Sequence, residues 1–332
     1  MAVSSPAVST SGPAEHEREG SRRPLQPGTT VNFVYMLAHS FSGSTLLSFL
    51  LGAHPEIATI GEMFIAEGID PETYVCSCGR RIAECPFFQE MSREMAARGI
   101  PFDIRRPGLE VRQTSQGLAQ RVIAAEPRGP LLEAARGVAL RLLPGAHKAL
   151  TETLRRNQAA VEVITGLQGG RAFVDSSKRP GRLLHLRRIP SFDVRVIHLV
   201  RDPRAVACSS MKNVGRTAEQ GARSWVDSAQ LAERSRHGIP DERWLTVRYE
   251  DLCGDPDAAL DRIWRFIGVK SGFRVPDFRA FEHHIIGNRM RLSATSEIRP
   301  DERWKTVLTP EQVRAVDAIT GETAARHGYT RG

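Results

Sequence analysis

Val31–Glu62, VNFVYMLAHSFSGSTLLSFLLGAHPEIATIGE, carries the transition that decides the fold. Val31–Ala38 is an apolar run of strand length, rich in β-branched and aromatic residues and without polar alternation. That is the pattern of a strand buried on both faces. It gives way to His39-Ser40-Phe41-Ser42-Gly43-Ser44-Thr45, which is small and hydroxyl-rich. Leu46–Leu51 then starts an apolar helix predicted to end at Gly52, a favourable C-cap residue. Strand, small-residue turn and helix aim unpaired backbone N–H groups and about half a positive charge at one point. Such a point binds phosphate or a similar anion.

The anion can be narrowed. A nucleoside-triphosphate loop reads G-x-x-x-x-G-K-[ST]. Here Ala38 takes the first glycine position, Gly43 the second, Ser44 the lysine position and Thr45 the hydroxyl position. The cation that reaches the terminal phosphates is missing, which disfavours ATP or GTP hydrolysis. Ser42-Gly43-Ser44-Thr45-Leu46 instead resembles the loop of the sulfotransferases that use 3′-phosphoadenylyl sulfate (PAPS), roughly [KR]-S-G-T-T-L. Phe41 stands where that family places a basic residue. The resemblance implies that this cation helps stabilise the bridging oxygen as sulfonate leaves.

Farther along, His54-Pro55-Glu56 reads as a turn and Ile57–Ile60 as a short strand leading to Gly61-Glu62. The family has a similar passage after its loop helix. The resemblance makes Glu62 the candidate catalytic base; a carboxylate simply favoured at a helix N-terminus is the alternative. Arg171–Asp175 is a strand followed by Ser176-Ser177-Lys178, and open parallel sheets bind ligands beyond such strand ends. The run Asp175-Ser176-Ser177-Lys178 resembles a family passage whose lysine contacts the transferring group. Lys178 is therefore a candidate replacement for the cation absent at Phe41, and His39 is a second. A surface lysine in a basic loop is the other reading of Lys178.

Val194–Val200 is a further strong strand. In Arg201-Asp202-Pro203-Arg204, Asp202 is suited to N-cap and Pro203 to the first helical position of a helix through Ala205–Met211. Arg201 stands at the strand end, and Ser209 two helical turns on, so both can reach one phosphate. This passage resembles the family's 3′-phosphate site, and an Arg merely capping the strand is the alternative. Arg243–Tyr249 is another buried strand. The passage from Val247 through Gly268 resembles one common to sulfotransferases, with Tyr249 near the nucleotide and Trp264 and Phe266 in the core. Glu219–Arg236, Pro256–Ile267 and Pro310–His327 read as helices, with Trp225 and Leu231 on the buried stripe of the first. His283–Arg291 and Ile298–Lys305 are basic segments like the one that closes the family's nucleotide site, which makes Asn288 and Arg299 candidate contacts.

Length and composition set the remaining bounds. At 332 residues, with 41% hydrophobic and 25% charged residues, the chain has ordinary globular composition. Its formal charge of +8 suits an anionic ligand, nucleic acid or a membrane surface, or no charge-driven partner at all. No stretch approaches the roughly 20 apolar residues of a membrane span. Residues 1–30 read as a disordered leader without a signal-peptide core. Residues 31–332 read as one domain with a helical insertion at about 70–165, containing amphipathic helices over Gln89–Arg98, Leu131–Leu143 and Thr151–Ile164. Five sparse cysteines suit a reducing, cytoplasmic setting. Cys76, Cys78 and Cys85 form C-S-C-G-x5-C, which lacks the paired spacing and the fourth ligand of a zinc site. Plain thiols in a loop are expected there, with a metal or a redox-sensitive pair as alternatives.

Strands alternating with helices predict an α/β fold, P-loop-containing, with a mostly parallel central sheet and helices on both faces. The resemblance implies transfer of sulfonate from PAPS to an acceptor hydroxyl of unknown class, with PAP released. Ser42, Gly43, Ser44 and Thr45 would hold the 5′-phosphosulfate, Arg201 and Ser209 the 3′-phosphate, and no metal and no nucleic acid is required. Oligomeric state is not legible. Two other readings stand beside it: a P-loop kinase or NTPase with Asp175 as its magnesium ligand, and a non-catalytic nucleotide- or nucleic-acid-binding module.

Overall fold

The computed structural model describes residues 23–63, 69–111 and 117–330. Strand β1 (Val31–Ala38) has the predicted bounds and sits at the centre of a five-stranded sheet. Its companions are β2 (Ile57–Thr59), β3 (Ala172–Asp175), β4 (Phe192–Val200) and β5 (Trp244–Arg248), in the order β2-β3-β1-β4-β5. Every pairing is parallel. The carboxyl ends of β3, β1 and β4 therefore open side by side along one edge, the edge at which such sheets bind ligands.

Alternation along β1 divides the core. Phe33, Tyr35 and Leu37 pack into a cluster with residues of α2 (Pro86–Ala97), α5 (Pro144–Leu167) and α6 (Pro180–Leu186). Val34, Met36 and Ala38 pack on the other face with α1 (Ser44–Gly52) and the helix over Pro256–Ile267. Phe33 stacks on Phe192 of β4 at 4.4 Å between ring centres. Burial on both faces explains why the strand shows no polar alternation. Trp264 is fully buried in the second cluster and Phe266 packs at its margin.

The helical segment between β2 and β3 contains α2, α3 (Gly117–Ala124), α4 (Pro130–Leu142) and α5. Helix α5 begins at Pro144, seven residues before the predicted start at Thr151, because proline at N1 opens it. A second correction concerns Gly52. Helix α1 runs from Ser44, two residues earlier than predicted, and Gly52 is its last residue rather than the cap, with Ala53 following in right-handed conformation. Gly52 is needed for close approach instead: a Cβ there would lie 3.0 Å from Thr59 Cγ2 and 3.3 Å from His283 Nδ1. The expected leader lies outside the described residues up to position 22. Residues 23–30 are not loose: Leu25 N donates to Glu162 O at 3.2 Å and Gly28 N to the buried Glu162 carboxylate at 2.8 Å. Among the described residues no helix is long and apolar enough to cross a membrane.

The sheet edge that carries the site is braced by a buried ion pair. Asp175, at the end of β3, and Arg182 of α6 are 3.2 Å apart with both side chains fully buried. Arg182 also donates to Leu109 O and to Asn157 Oδ1, each at 2.6 Å, so each of its three nitrogens has a partner. Removing one member of such a pair leaves a buried charge and costs about 3–5 kcal/mol. Arg182→Met should lower unfolding free energy by that amount in urea titration; a loss below about 1 kcal/mol would show that the pair does not brace the edge.

Candidate active site

The turn after β1 departs from extended geometry twice. Phe41 has φ 69° and Gly43 φ 91°, both in the left-handed region. Such a conformation strains Phe41 and is free for glycine. Gly43 is also required sterically, since a Cβ there would sit 2.4 Å from Tyr249 Cδ2. Gly43 is the N-cap of α1 and supplies no side-chain cap, so the first N–H groups of the helix face the loop mouth. Ser42, Ser44 and Thr45 are buried beneath it. Among the described residues, the buried Ser42 Oγ has no hydrogen-bond partner. Thr45 Oγ1 accepts from Asn288 N at 3.3 Å, so Asn288 reaches the loop through its backbone while its side chain caps Met290 N at 3.0 Å.

Beside the loop lies a cleft of about 540 Å³ lined by His39, Phe41, Glu62, Lys178, Arg216 and Leu231, among others. Glu62 and Lys178 form an ion pair across it. Two backbone constraints make that pair. Glu62 N donates to Ile286 O at 3.0 Å, and Gly61 bridges to Ile286, which fixes the chain after β2. Lys178 has φ 67°, an uncommon conformation for a non-glycine residue, just beyond β3. It is held there because Asp175 Oδ1 caps Ser177 N at 2.9 Å and Met63 N at 3.3 Å. Leu231, predicted on a buried stripe, is half-buried in α8 (Ala218–Ser235) and faces this cleft.

His39 is at the same cleft but bound on both nitrogens. Its Nδ1 lies 2.6 Å from Ser40 O and its Nε2 3.0 Å from Ser224 Oγ. Burial, joined by the charges of Arg216 and Lys178, holds the imidazole below its usual pKa against the opposing Ser40 contact. Of the two candidates for a replacement cation, Lys178 is the one held in an ion pair at the cleft.

A smaller cavity, about 100 Å³, lies at the end of β4. Arg201, Ser209, Lys212, Asp301 and Arg303 are among its lining. Asp202 caps α7 (Pro203–Val214) by accepting from Arg204 N at 2.8 Å, with Pro203 at the first position as predicted. Arg201 Nη1 donates to Phe41 O at 2.7 Å, Nη2 donates to Asp301 O at 2.9 Å, and the guanidinium lies 4.5 Å over the Tyr249 ring. The buried Arg201 Nε has no partner among the described residues. Arg303, then Arg201, hold the Asp301 carboxyl well below the usual carboxylate range.

Two sequence expectations change here. The Arg299 side chain is 71% exposed and paired with Glu297, and it is not among the residues lining the cavity. Arg303, four residues on in the same basic segment, is; spacing within an irregular segment carries no facing rule from which this could be read. Asp175, the magnesium ligand of the kinase alternative, is fully buried with its oxygens taken by Ser177, Met63 and Arg182. That donor set leaves the alternative without its acid.

The profile of the sulfotransferase family matches residues 34–272. Human carbohydrate sulfotransferase 2 is 26% identical over 197 residues, covering 45% of this chain and 37% of the relative. The omega-hydroxy-beta-dihydromenaquinone-9 sulfotransferase of Mycobacterium tuberculosis is 27% identical over 151 residues, covering 41% and 36%. The chain thus spans less than half the length of these curated relatives. The sulfotransferase domain of the Synechococcus PCC 7002 olefin synthase superposes with a TM-score of 0.53 at 19% identity, over 91% of this chain and 96% of that one. That likeness bears on the fold alone.

The contact between loop and ring is testable without any ligand. Gly43→Ala should cost about 1–3 kcal/mol of stability through backbone strain and overlap with Tyr249. In a double-mutant cycle with Tyr249→Leu the loss in the double variant should fall short of the sum of the single losses by more than about 0.5 kcal/mol. Strict additivity would mean that the ring does not set the loop.

Proposed function

This chain belongs to the sulfotransferase family, and from that premise we propose that it transfers a sulfonate group from PAPS to an acceptor hydroxyl, releasing PAP. The observation that carries the reading is the Glu62–Lys178 ion pair on the cleft beside a loop that Arg201 reaches from the neighbouring strand. The acceptor enters the 540 Å³ cleft. The helical segment at about 70–165 belongs to the same catalytic domain. The free cysteines fit a reducing, cytoplasmic setting.

PAPS supplies an activated sulfonate on a phosphate leaving group. The residues of this chain do the rest by position and charge, as in phosphoryl transfer. The first N–H groups of α1 and the Ser42 hydroxyl hold the 5′-phosphosulfate. Arg201 and Ser209, with Arg303, hold the 3′-phosphate, which takes the place of the Asp301 carboxylate as their anionic partner. Tyr249 backs both the loop and the Arg201 guanidinium, and Asn288 closes over Thr45. Glu62 accepts the acceptor proton as the new S–O bond forms and the old one breaks. Lys178 faces the oxygen that keeps the bonding electrons, in the role that the family's loop cation would have had at Phe41.

Glu62→Gln should lower turnover about 10²–10⁴-fold while leaving PAP affinity unchanged. Full turnover in that variant would remove Glu62 as the base. Arg201→Ala should weaken PAP by about 1.5–3 kcal/mol for each charge-assisted bond lost, read by calorimetry. Unchanged PAP binding would separate the 3′-phosphate from this cavity.

A further inference from the structure

The three thiols read from sequence as a loop cluster meet a fourth group that sequence spacing did not offer. Cys76, Cys78, Cys85 and His284 present one sulfur or nitrogen each, all within 4.8 Å of one another. Cys78 Sγ lies 3.7 Å from Cys85 Sγ, and Cys85 Sγ 4.0 Å from Cys76 Sγ. His284 Nδ1 lies 3.3 Å from Cys85 Sγ and 3.9 Å from Cys76 Sγ. All three cysteines are free. We propose that Cys76, Cys78, Cys85 and His284 form a structural tetrahedral zinc site that staples the 74–85 loop to the segment over the phosphate loop.

The distances carry the assignment. Zinc bonds of about 2.3 Å to sulfur and about 2.0–2.1 Å to nitrogen place tetrahedral ligands about 3.8 Å apart for S···S and about 3.6 Å for S···N. The four distances above scatter around those values, whereas a disulfide needs sulfurs about 2.05 Å apart. Three thiolates and one imidazole are a donor set of closed structural zinc sites.

The surroundings orient the ligands. His284 Nε2 is 3.2 Å from Glu282 Oε1, so Nε2–H donates to the carboxylate and the Nδ1 lone pair is left for the ion. Phe87 stacks flat on the imidazole at 4.5 Å. The turn bearing Cys76 and Cys78 is closed by Cys76 N donating to Arg80 O at 2.8 Å, with Gly79 at φ 83°. Binding releases the thiol protons to solvent, and no redox step is involved.

The staple acts on the site without touching the reaction. Ser77 Oγ bonds both His283 O and Ile285 N, and Tyr74 OH bonds both Gly287 O and Gly287 N. The same short segment gives Ile286 to Gly61 and Glu62, and Asn288 to Thr45. Zinc thereby fixes the strip of backbone on which the position of Glu62 depends. The inference holds whatever donor the cleft accepts.

The test begins with the full-length protein purified under reducing conditions without chelator. Elemental analysis should find one zinc per chain. Cobalt exchange should give an absorption spectrum with thiolate-to-metal charge transfer and tetrahedral ligand-field bands. Glu282→Gln should weaken zinc about 10–100-fold against a chelating dye while the protein still folds. Cys76→Ser/Cys85→Ser should abolish stoichiometric zinc and lower the melting temperature, and in wild type a strong chelator should lower it as well. Metal-free wild-type protein, a cobalt spectrum without thiolate bands, or a disulfide among these cysteines would each overturn the site. If the double variant fails to fold, the wild-type metal content and cobalt spectrum still decide. PAP binding, measured separately, tests the donor reading and not this one.

Discussion

The hydrogen bond from Arg201 to the Phe41 carbonyl joins two strand ends that the sheet alone would only place side by side. Parallel neighbours bring the loops after β1 and β4 to one edge, but their relative position then depends on side chains. The left-handed residue at Phe41 costs about 1–3 kcal/mol, and its carbonyl is offered to a buried guanidinium. Tyr249, from the end of β5, fills the space beneath both. Its ring carries Arg201 on one side and leaves room for nothing larger than glycine at position 43. Three consecutive strands in the sheet thus set the one loop after β1.

The opposite side of the loop is set by a separate chain of constraints. Asp175 holds Ser177 and Met63 from one oxygen and Arg182 from the other. The first two contacts shape the turns that carry Lys178 and Glu62. A carboxylate so placed cannot relax without moving both cleft residues, and its burial is offset by the Arg182 pair and the hydrogen bonds it accepts. Such a pair contributes little net stability against an apolar replacement. What it secures is the geometry of the two side chains beyond it.

What sequence could reveal follows the range of the interactions. The strand over Val31–Ala38, the cap at Asp202-Pro203 and the core face of Pro256–Ile267 are local patterns, and the structure has them at the predicted places. Helix α1 ends at Gly52 as expected, but Gly52 answers a tertiary contact with Thr59 and His283 rather than a cap. Arg303 was missed in favour of Arg299 because the segment is irregular, and side-chain direction there has no period. His284 was invisible as a partner of Cys85 for a simpler reason: 199 residues separate them. Spacing rules find ligand sets within one turn, and this one is completed by a segment from the far end of the chain.

Charge balance links these features. In the structure Lys178 is paired with Glu62, while Arg201 and Arg303 share the single carboxylate of Asp301. A ligand gains from these cations only by displacing a carboxylate that already satisfies them, so a weakly charged anion has little advantage over the resident partner. A doubly charged phosphate monoester at the Arg201 cavity brings more charge and more acceptor oxygens than the Asp301 carboxylate it replaces. In the proposed reading, the internal carboxylates keep Arg201 and Lys178 paired until an incoming anion displaces them. Glu62 differs from Asp301 in that it faces the open cleft. In the reaction proposed above, a donor that draws Lys178 away would leave Glu62 released from its ion pair beside the acceptor hydroxyl.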